Sequence, residues 1–290
     1  MKILITGKNG QVGYELERSL QGLGVITAMD RSEMDLANFD SVRAAIRAVR
    51  PDLIINAAAY TAVDKAESEP ESAMKINGEA PGIIAEEAKK VSAALIHYST
   101  DYVFDGSKEG EYVETDPTNP INVYGRSKLA GELAIAATGV PHLILRTSWV
   151  YGARGKNFLL TISRLARENR NLNIVSDQIG APTWCRTIAD TTSHIIAKCS
   201  DAKDMKERFQ EWSGLYHLTA QGATSWHGFA CAIVRSLDLE QAPDVVAIPA
   251  SAYPVPARRP MNSRMSCARL TDTFCSLPDW DVALKLCMEN

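Results

Sequence analysis

Residues 1–13 read MKILITGKNGQVG, and this stretch decides the fold. A short apolar run over residues 1–6 stops at three glycines spaced three apart, Gly7, Gly10 and Gly13. Val12, Leu16 and Leu20 then recur at spacing four, the period of a helix with one buried face. Strand, glycine turn and helix, in that order, open a βαβ unit. Residues without a Cβ let backbone N–H groups approach a pyrophosphate, and the helix N-terminus adds a favourable dipole. The spacing is Gly-x-x-Gly-x-x-Gly rather than the commoner Gly-x-Gly-x-x-Gly, so its place at the first turn carries more weight than the motif alone.

The alternation continues outward from this unit. Residues 25–30 (VITAMD) form a second strand, and a helix SVRAAIRAVR follows, capped by Asp40 and ended by Pro51. Residues 52–59 (DLIINAAA) make a third strand, 70–90 one long helix, 94–100 (ALIHYST) a fourth strand and 141–150 (PHLILRTSWV) another. Nearly continuous apolar strands alternating with helices predict a parallel sheet covered on both faces. Beyond Tyr151 the pattern loosens, with helices near 157–168, 187–199 and 225–236 and a strand at 215–219. The expected fold is α/β, a Rossmann doubly wound parallel sheet over 1–152 with a smaller substrate-binding α/β region over 153–290. Segments within 187–220 are expected to return to the main sheet.

Composition narrows the function classes. With 46% apolar and 23% charged residues and a formal net charge of −4, the chain has no electrostatic footprint for nucleic acid. No apolar run approaches the ~20 residues needed to span a bilayer, and residues 3–5 are too short for a signal-peptide core. The six cysteines, all in the second half, form no Cys-x-x-Cys and have no histidine at zinc-ligand spacing. Reduced thiols in a cytoplasmic protein are expected, with no metal cluster, nucleic-acid partner or membrane.

Tyr124 and Lys128 lie four apart at the start of a helix after a Pro-rich loop, so phenol and ammonium share a face. Ser99-Thr100-Asp101 ends the fourth strand, at the edge where open α/β sheets bind ligands. A ketone that takes a hydride becomes an alkoxide and needs a proton donor. Free tyrosine has a pKa near ~10, and a neighbouring Lys128 ammonium is expected to lower it by favouring the phenolate. Thr100 can polarise the carbonyl oxygen and hold it near Tyr124. Asp30, at the end of the second strand, can accept from a ribose 2′-OH, which favours NADH, whereas Arg31 can meet the 2′-phosphate of NADPH. The two signals conflict, and NADPH or NADH is the expected cofactor.

These motifs, with Asn56-Ala57-Ala58-Ala59, resemble the extended short-chain dehydrogenase/reductases. GQVG (10–13), AAAYTAVDKAE (57–67), YSTDYVFDG (98–106), RTSWVYG (146–152), DQIGAPT (177–183) and ARRPMNS (257–263) narrow the resemblance to the dTDP-4-dehydrorhamnose reductase family. It runs from residue 2 to about Trp280. The resemblance implies Tyr124 as proton donor, Lys128 as its partner and Thr100 as third catalytic member. It implies Gly7, Asn9, Gly10, Gln11 and Val12 at the pyrophosphate, Asp30, Asp35 and Leu36 at the adenosine end, beside the Arg31 already named, and Ala57, Ala58 and Tyr60 at the middle of the cofactor. Thr61, Val63, Thr100, Asp101 and Trp149 would meet the nucleotide sugar. Trp149 is otherwise a core aromatic, and Arg258, Arg259 and Arg264 either clamp the substrate diphosphate or form a solvated basic turn. The five histidines show no pairing and read as structural. The implied reaction is NAD(P)H-dependent reduction of the C4 ketone of dTDP-4-dehydro-β-L-rhamnose.

Two rival functions share parts of this motif set. A sugar-nucleotide dehydratase or epimerase of the same superfamily would need a Thr-Asp-Glu triplet or a retained NAD⁺, and here Tyr102 follows Thr100-Asp101. A non-catalytic regulatory subunit, like the similar β-subunit of methionine adenosyltransferase, would need no proton donor. Some relatives dimerise through magnesium held by acids of the first helix, the segment after Ala-Pro-Thr, and the C-terminus. Glu15 fits the first, but Arg186 occupies the second and Glu289 beside Asn290 leaves the third open. A guanidinium repels Mg²⁺, so no magnesium is expected, and the chain should be a monomer or a weak metal-independent homodimer.

Overall fold

The computed structural model describes residues 1–168, 171–200 and 205–289. The chain runs β1 (Lys2–Thr6), α1 (Gln11–Ser19), β2 (Val25–Met29), α2 (Phe39–Val49), β3 (Leu53–Asn56), α3 (Val63–Ala66), α4 (Pro70–Met74) and α5 (Ala80–Val91). It continues with β4 (Ala94–Thr100), α6 (Val123–Thr138), β5 (His142–Thr147), β6 (Val150–Tyr151), α7 (Phe158–Glu168), β7 (Asn171–Val175), β8 (Ile179–Gly180) and β9 (Thr183–Trp184). Last come α8 (Cys185–Ser200), α9 (Met205–Glu211), β10 (Gly214–His217), β11 (Thr224–Ser225), α10 (Trp226–Ser236), β12 (Asp244–Ile248), α11 (Ala268–Thr273) and α12 (Trp280–Met288).

Six strands form one parallel sheet in the order β10-β5-β4-β3-β1-β2. The strand order reverses between β1 and β3, which opens a crevice at their C-terminal ends. One face is sealed by α1 and α8, with Leu16, Leu20, Ile188 and Ile195 fully buried against Ile3, Ile5 and Ile55. The other is sealed by α2, α5 and α6 through Ile46, Ile84 and Ile135 on Leu4, Ile54 and Leu95. A separate core joins α7, α10 and α12 around Tyr151, Phe229 and Leu284. It is roofed by the parallel pair β12–β7. Thus β10, well along the chain, completes the first sheet, while residues 201–204 of the expected returning segment lie outside the described residues.

Several expectations need correction. The cap of α2 is Asn38, whose Oδ1 accepts from the backbone N–H groups of Asp40 and Ser41; Asp40 is already inside the helix. The third strand ends at Asn56, because residues 57–60 leave the sheet to line the crevice. The helix expected over 70–90 has a π turn at Lys75–Glu79 between α4 and α5. There Asn77 swings inward and bonds both N–H and C=O of Tyr60 at 2.8 and 2.9 Å. The strand expected over 141–150 breaks at Ser148-Trp149, and β6 pairs with β9 outside the main sheet. All six cysteines are free; Cys185, Cys199, Cys267 and Cys287 are buried.

Candidate active site

The glycine turn is fixed by sterics. Gly7 has φ +74°, and a Cβ on Gly13 would lie 2.1 Å from the Gly7 carbonyl oxygen, so α1 can start this close to β1 only with glycine there. The turn forms one wall of a cleft of about 650 Å³ at the strand-order reversal. Its lining includes Gly7, Asn9, Gly10, Gln11 and Val12, then Asp30, Arg31, Asp35 and Leu36, then Ala57, Ala58, Tyr60 and Thr61, and finally Tyr124 and Lys128. Every residue expected at the cofactor therefore faces one cavity. The lining also contains Met34 and Ile76, two apolar walls at the Asp30–Leu36 end, and Gly155 and Lys156 from the loop after β6. Asn157 ties that loop to the turn by donating to Gln11 Oε1 at 2.7 Å. The run GARGKN (152–157) was the available signal and went unread.

At the adenosine end Asp30 is committed to the protein. Its carboxylate accepts from Asn9 Nδ2 at 3.1 Å and from the Ser32 N–H and hydroxyl at 2.9 and 2.6 Å. These hydrogen bonds, those of Ser32 first, hold its pKa below the usual carboxylate value. The Arg31 side chain is 79% exposed, with Nε 3.4 Å from Asp35 Oδ1, and is free to reorient toward a ligand.

Tyr124 enters the cleft from the first turn of α6. Asn122 caps that helix by accepting from the Gly125 N–H at 2.7 Å and donates to the Arg258 carbonyl at 2.8 Å. A Cβ on Gly125 would sit 2.1 Å from the Tyr102 carbonyl oxygen, so glycine lets α6 close onto the segment that follows β4. As a result the Tyr124 ring meets Tyr102 edge-on at 5.8 Å, and the Thr100 hydroxyl is near enough to the Tyr124 phenol to favour its ionised form. Thr100 Oγ1 donates its single proton to Asp101 Oδ1 at 3.0 Å and accepts from the Tyr102 N–H at 3.2 Å.

The electrostatics differ from expectation at Lys128. Its Nζ donates to the Tyr98 carbonyl at 2.6 Å and lies 3.2 Å from His97 Nε2. Burial pushes the ammonium down to about 8, partly offset by Glu132 one turn further along α6. The Tyr124 phenol is not lowered: dense surroundings on its protein side push it up to about 12, with Thr100 opposing and the Asp101 carboxylate reinforcing. Lys128 anchors on β4 rather than on the phenol, which is the physical reason the expected depression is absent. Asp101 is 2% exposed and its Oδ2 has no hydrogen-bond partner. Burial raises it to about 6.

The family model described as RmlD substrate binding domain matches residues 1–290. The chain is 52% identical to a dTDP-4-dehydrorhamnose reductase of Burkholderia thailandensis, across 100% of this chain and 99% of that one. It is 46% identical to the enzyme of that name from Escherichia coli K12, across 98% and 96%. A Bacillus anthracis dTDP-4-dehydrorhamnose reductase solved in complex with NADP superposes with a TM-score of 0.91 at 32% identity, covering 99% of this chain and 98% of that one. The chain belongs to the dTDP-4-dehydrorhamnose reductase family.

In this family member the residues expected at the sugar fall into groups. Thr100, Asp101 and Arg259 gather around Tyr102: Thr100 Oγ1 accepts from its N–H at 3.2 Å, and Arg259, near its phenol, donates to Asp64 Oδ2 at 2.8 Å. Val63 starts α3, next to Asp64. Arg258 is exposed, and Arg264 folds back on Asn262 and the Glu109 carbonyl, so the three arginines do not act as one clamp. Trp149 sits in a left-handed conformation (φ +47°), a strained choice for an aromatic residue that turns it out of the strand. Its half-buried indole stacks on Trp226 at 3.6 Å and 6°. Trp226 and His97 were missed. No spacing links Trp226 to Trp149, and His97 read as one structural histidine among five.

Proposed function

We propose that this chain reduces the C4 ketone of dTDP-4-dehydro-β-L-rhamnose to dTDP-β-L-rhamnose, the last step of dTDP-L-rhamnose synthesis, using NADPH or NADH. The observation that carries the reading is the meeting of Thr100, Tyr124 and Lys128 beside a cleft walled by the glycine turn. Relatives bearing the reductase name over almost their full length support the same substrate.

The residues fit a dinucleotide: backbone N–H groups and the α1 N-terminus face the pyrophosphate position, and Met34 and Ile76 offer apolar walls for a base. The bound cofactor supplies a hydride to C4 of the sugar. Thr100 orients the carbonyl oxygen, and Tyr124 gives that oxygen its phenolic proton as it becomes an alkoxide. A phenol pushed up to about 12 is fully protonated at neutral pH, so the resting side chain is already the acid that reduction requires. Solvent restores the proton to the phenolate afterwards. Lys128, held on the Tyr98 carbonyl, stands at the cleft wall where a donor can fix the cofactor's ribose. Trp149, whose indole stacks on Trp226 and packs against Gly180, would meet the sugar with its remaining exposed edge.

The test is consumption of reduced nicotinamide by purified protein supplied with the keto-sugar nucleotide. One dTDP-rhamnose should form per NADPH consumed. Purification with tightly held NAD⁺, and no net reduction of the keto sugar, would overturn the reading in favour of an epimerase.

A further inference from the structure

Thr6, Asn56 and His97 stand side by side on β1, β3 and β4, because the parallel register pairs Thr6 with Asn56 and Asn56 with His97. Each is 1% exposed. Their side chains form a continuous row. The Ala58 N–H donates to Thr6 Oγ1 at 3.1 Å, and the Thr6 hydroxyl donates to Asn56 Oδ1 at 2.7 Å. Asn56 Nδ2 lies 3.0 Å from His97 Nδ1, and His97 Nε2 lies 3.2 Å from Lys128 Nζ. One end of the row packs on Gly7 through Ala58, and the other end is Lys128. The reaction as derived uses Lys128 and leaves His97 without a task.

Donor counting gives it one. A neutral imidazole has one N–H and one bare nitrogen. With the Asn56 amide N–H on Nδ1, the ring proton sits on Nε2, and only a neutral amine at Lys128 can accept it. When Lys128 is an ammonium, Nε2 must accept and Nδ1 carries the proton. A half-turn of the Asn56 amide then presents its oxygen to the ring and its N–H to Thr6 Oγ1, whose hydroxyl changes from donor to acceptor toward Asn56. The row therefore has a partner ready for Lys128 in both states.

We infer that His97 is a positioning residue for Lys128: the uncharged ring fixes the height of the lysine nitrogen and accommodates it with or without its proton. The inference rests on the reading of Lys128 as part of the reductive site. Burial keeps the ring uncharged, well below the usual histidine pKa, and brings Lys128 down to about 8, within reach of a working pH. Among the described residues, the other titratable groups near Lys128 are Tyr124 and Glu132, one turn before and one turn after it on α6. The Glu132 charge is already matched by Arg146 of β5 at 2.6 Å.

His97→Leu and His97→Gln test this. In His97→Leu, kcat should fall about tenfold while KM for the sugar nucleotide stays within about twofold. The midpoint of the alkaline change in kcat should move by at least about 0.5 pH unit, since one of the two groups facing the lysine is gone. His97→Gln, whose amide offers either a donor or an acceptor, should recover part of kcat, and it carries the test if the leucine variant does not fold. Wild-type kcat with a wild-type pH midpoint in either folded variant overturns the inference. A loss of kcat with an unmoved midpoint also overturns it, because that is what a merely structural role gives. The pH dependence of NADPH affinity, read by fluorescence without turnover, should shift with the same midpoint. Wild-type protein that binds NADPH but leaves the keto sugar unreduced removes the proposed reaction, and the binding midpoint then judges His97 on its own.

Discussion

Trp149 and Trp226 stack with centroids 3.6 Å apart and planes 6° from parallel, and Phe158 lies 4.7 Å from Trp226 on the second core. The Trp149 indole is thus held by residues beyond 152, Trp226 on one face and Gly180 against the ring. Trp149→Ala should raise KM for the sugar nucleotide about three- to tenfold, the worth of one aromatic contact, with KM for NADPH unchanged. Trp226→Leu should give a smaller rise in the same constant. Steady-state kinetics with each substrate varied in turn checks both. Unchanged sugar KM in both variants would return Trp149 to a purely structural role.

Tyr124→Phe should lower kcat by about 10²–10⁴ while NADPH affinity stays near wild type, because it removes a positioned acid and little binding. Lys128→Ala should damage kcat and NADPH affinity together. Near-normal turnover in Tyr124→Phe would sink the proposed proton donor. The structure adds one expectation: with the phenol pushed up to about 12, an alkaline fall in kcat between pH 7 and 9 should not report Tyr124.

Cofactor choice is the third case. Asp30→Ala should shift the ratio of kcat/KM toward NADPH, since it removes a carboxylate that a 2′-phosphate must avoid. Arg31→Ala should shift the ratio toward NADH. Each change should be about three- to tenfold, modest because the Arg31 side chain is 79% exposed and screened. If both variants keep the wild-type ratio, Lys8, 3.9 Å from Asp30, becomes the residue to replace.

How much of this was legible follows from which forces were local. The turn at Gly7–Gly13 and the helix after it are written in spacing, since both depend on residues within one turn of each other. The α2 cap was misread by two residues: Asn38 and Asp40 offer the same chemistry, and only the backbone turn chooses. The π turn at Asn77 answers to Tyr60, and the row from Thr6 to Lys128 answers to strand register; neither leaves a pattern in the sequence. The pair β7–β12 was missed because NLNIV is short and DVVAI lies between prolines. Its strands are five residues each, separated by a whole helical layer.

Asp101 supplies a pH-dependent stability prediction. Its carboxyl keeps its proton up to about 6 in the fold, against ~3.9 in an unfolded chain. The raised folded value means that the favourable contribution is present below about 4 and is lost as pH rises through about 6. Above that, ionising the buried group costs the fold roughly 3 kcal/mol relative to low pH. Asp101→Asn cannot ionise, so it should change Tm little near pH 4 and raise it by several degrees at pH 8. Calorimetry at the two pH values decides this. Equal shifts at both would mean that Asp101 is not titrating in that range.

Assembly is the last case. Arg186 Nε lies 3.2 Å from Glu15 Oε2 within one subunit, and its guanidinium sits 5.0 Å from the Trp184 ring centroid. Glu15 is buried and its charge is already met, so a cation at this place would have to displace a guanidinium. The C-terminal acid Glu289 is exposed at the end of α12, and Asn290 lies outside the described residues. Mg²⁺ seeks several oxygen ligands, and across a two-fold axis the missing acid would be missing twice. The chain should therefore be a monomer or a weak dimer with the same mass in magnesium and in EDTA, read by light scattering at micromolar protein. Glu15→Gln should cost only about 0.5–1 kcal/mol, because Arg186 is partly solvated. Arg186→Glu removes the repelling charge and restores an oxygen ligand beside Glu15, so it should introduce a magnesium-dependent rise in dimer. A wild-type dimer that falls apart only when magnesium is removed would show that the Arg186–Glu15 pair yields to the metal.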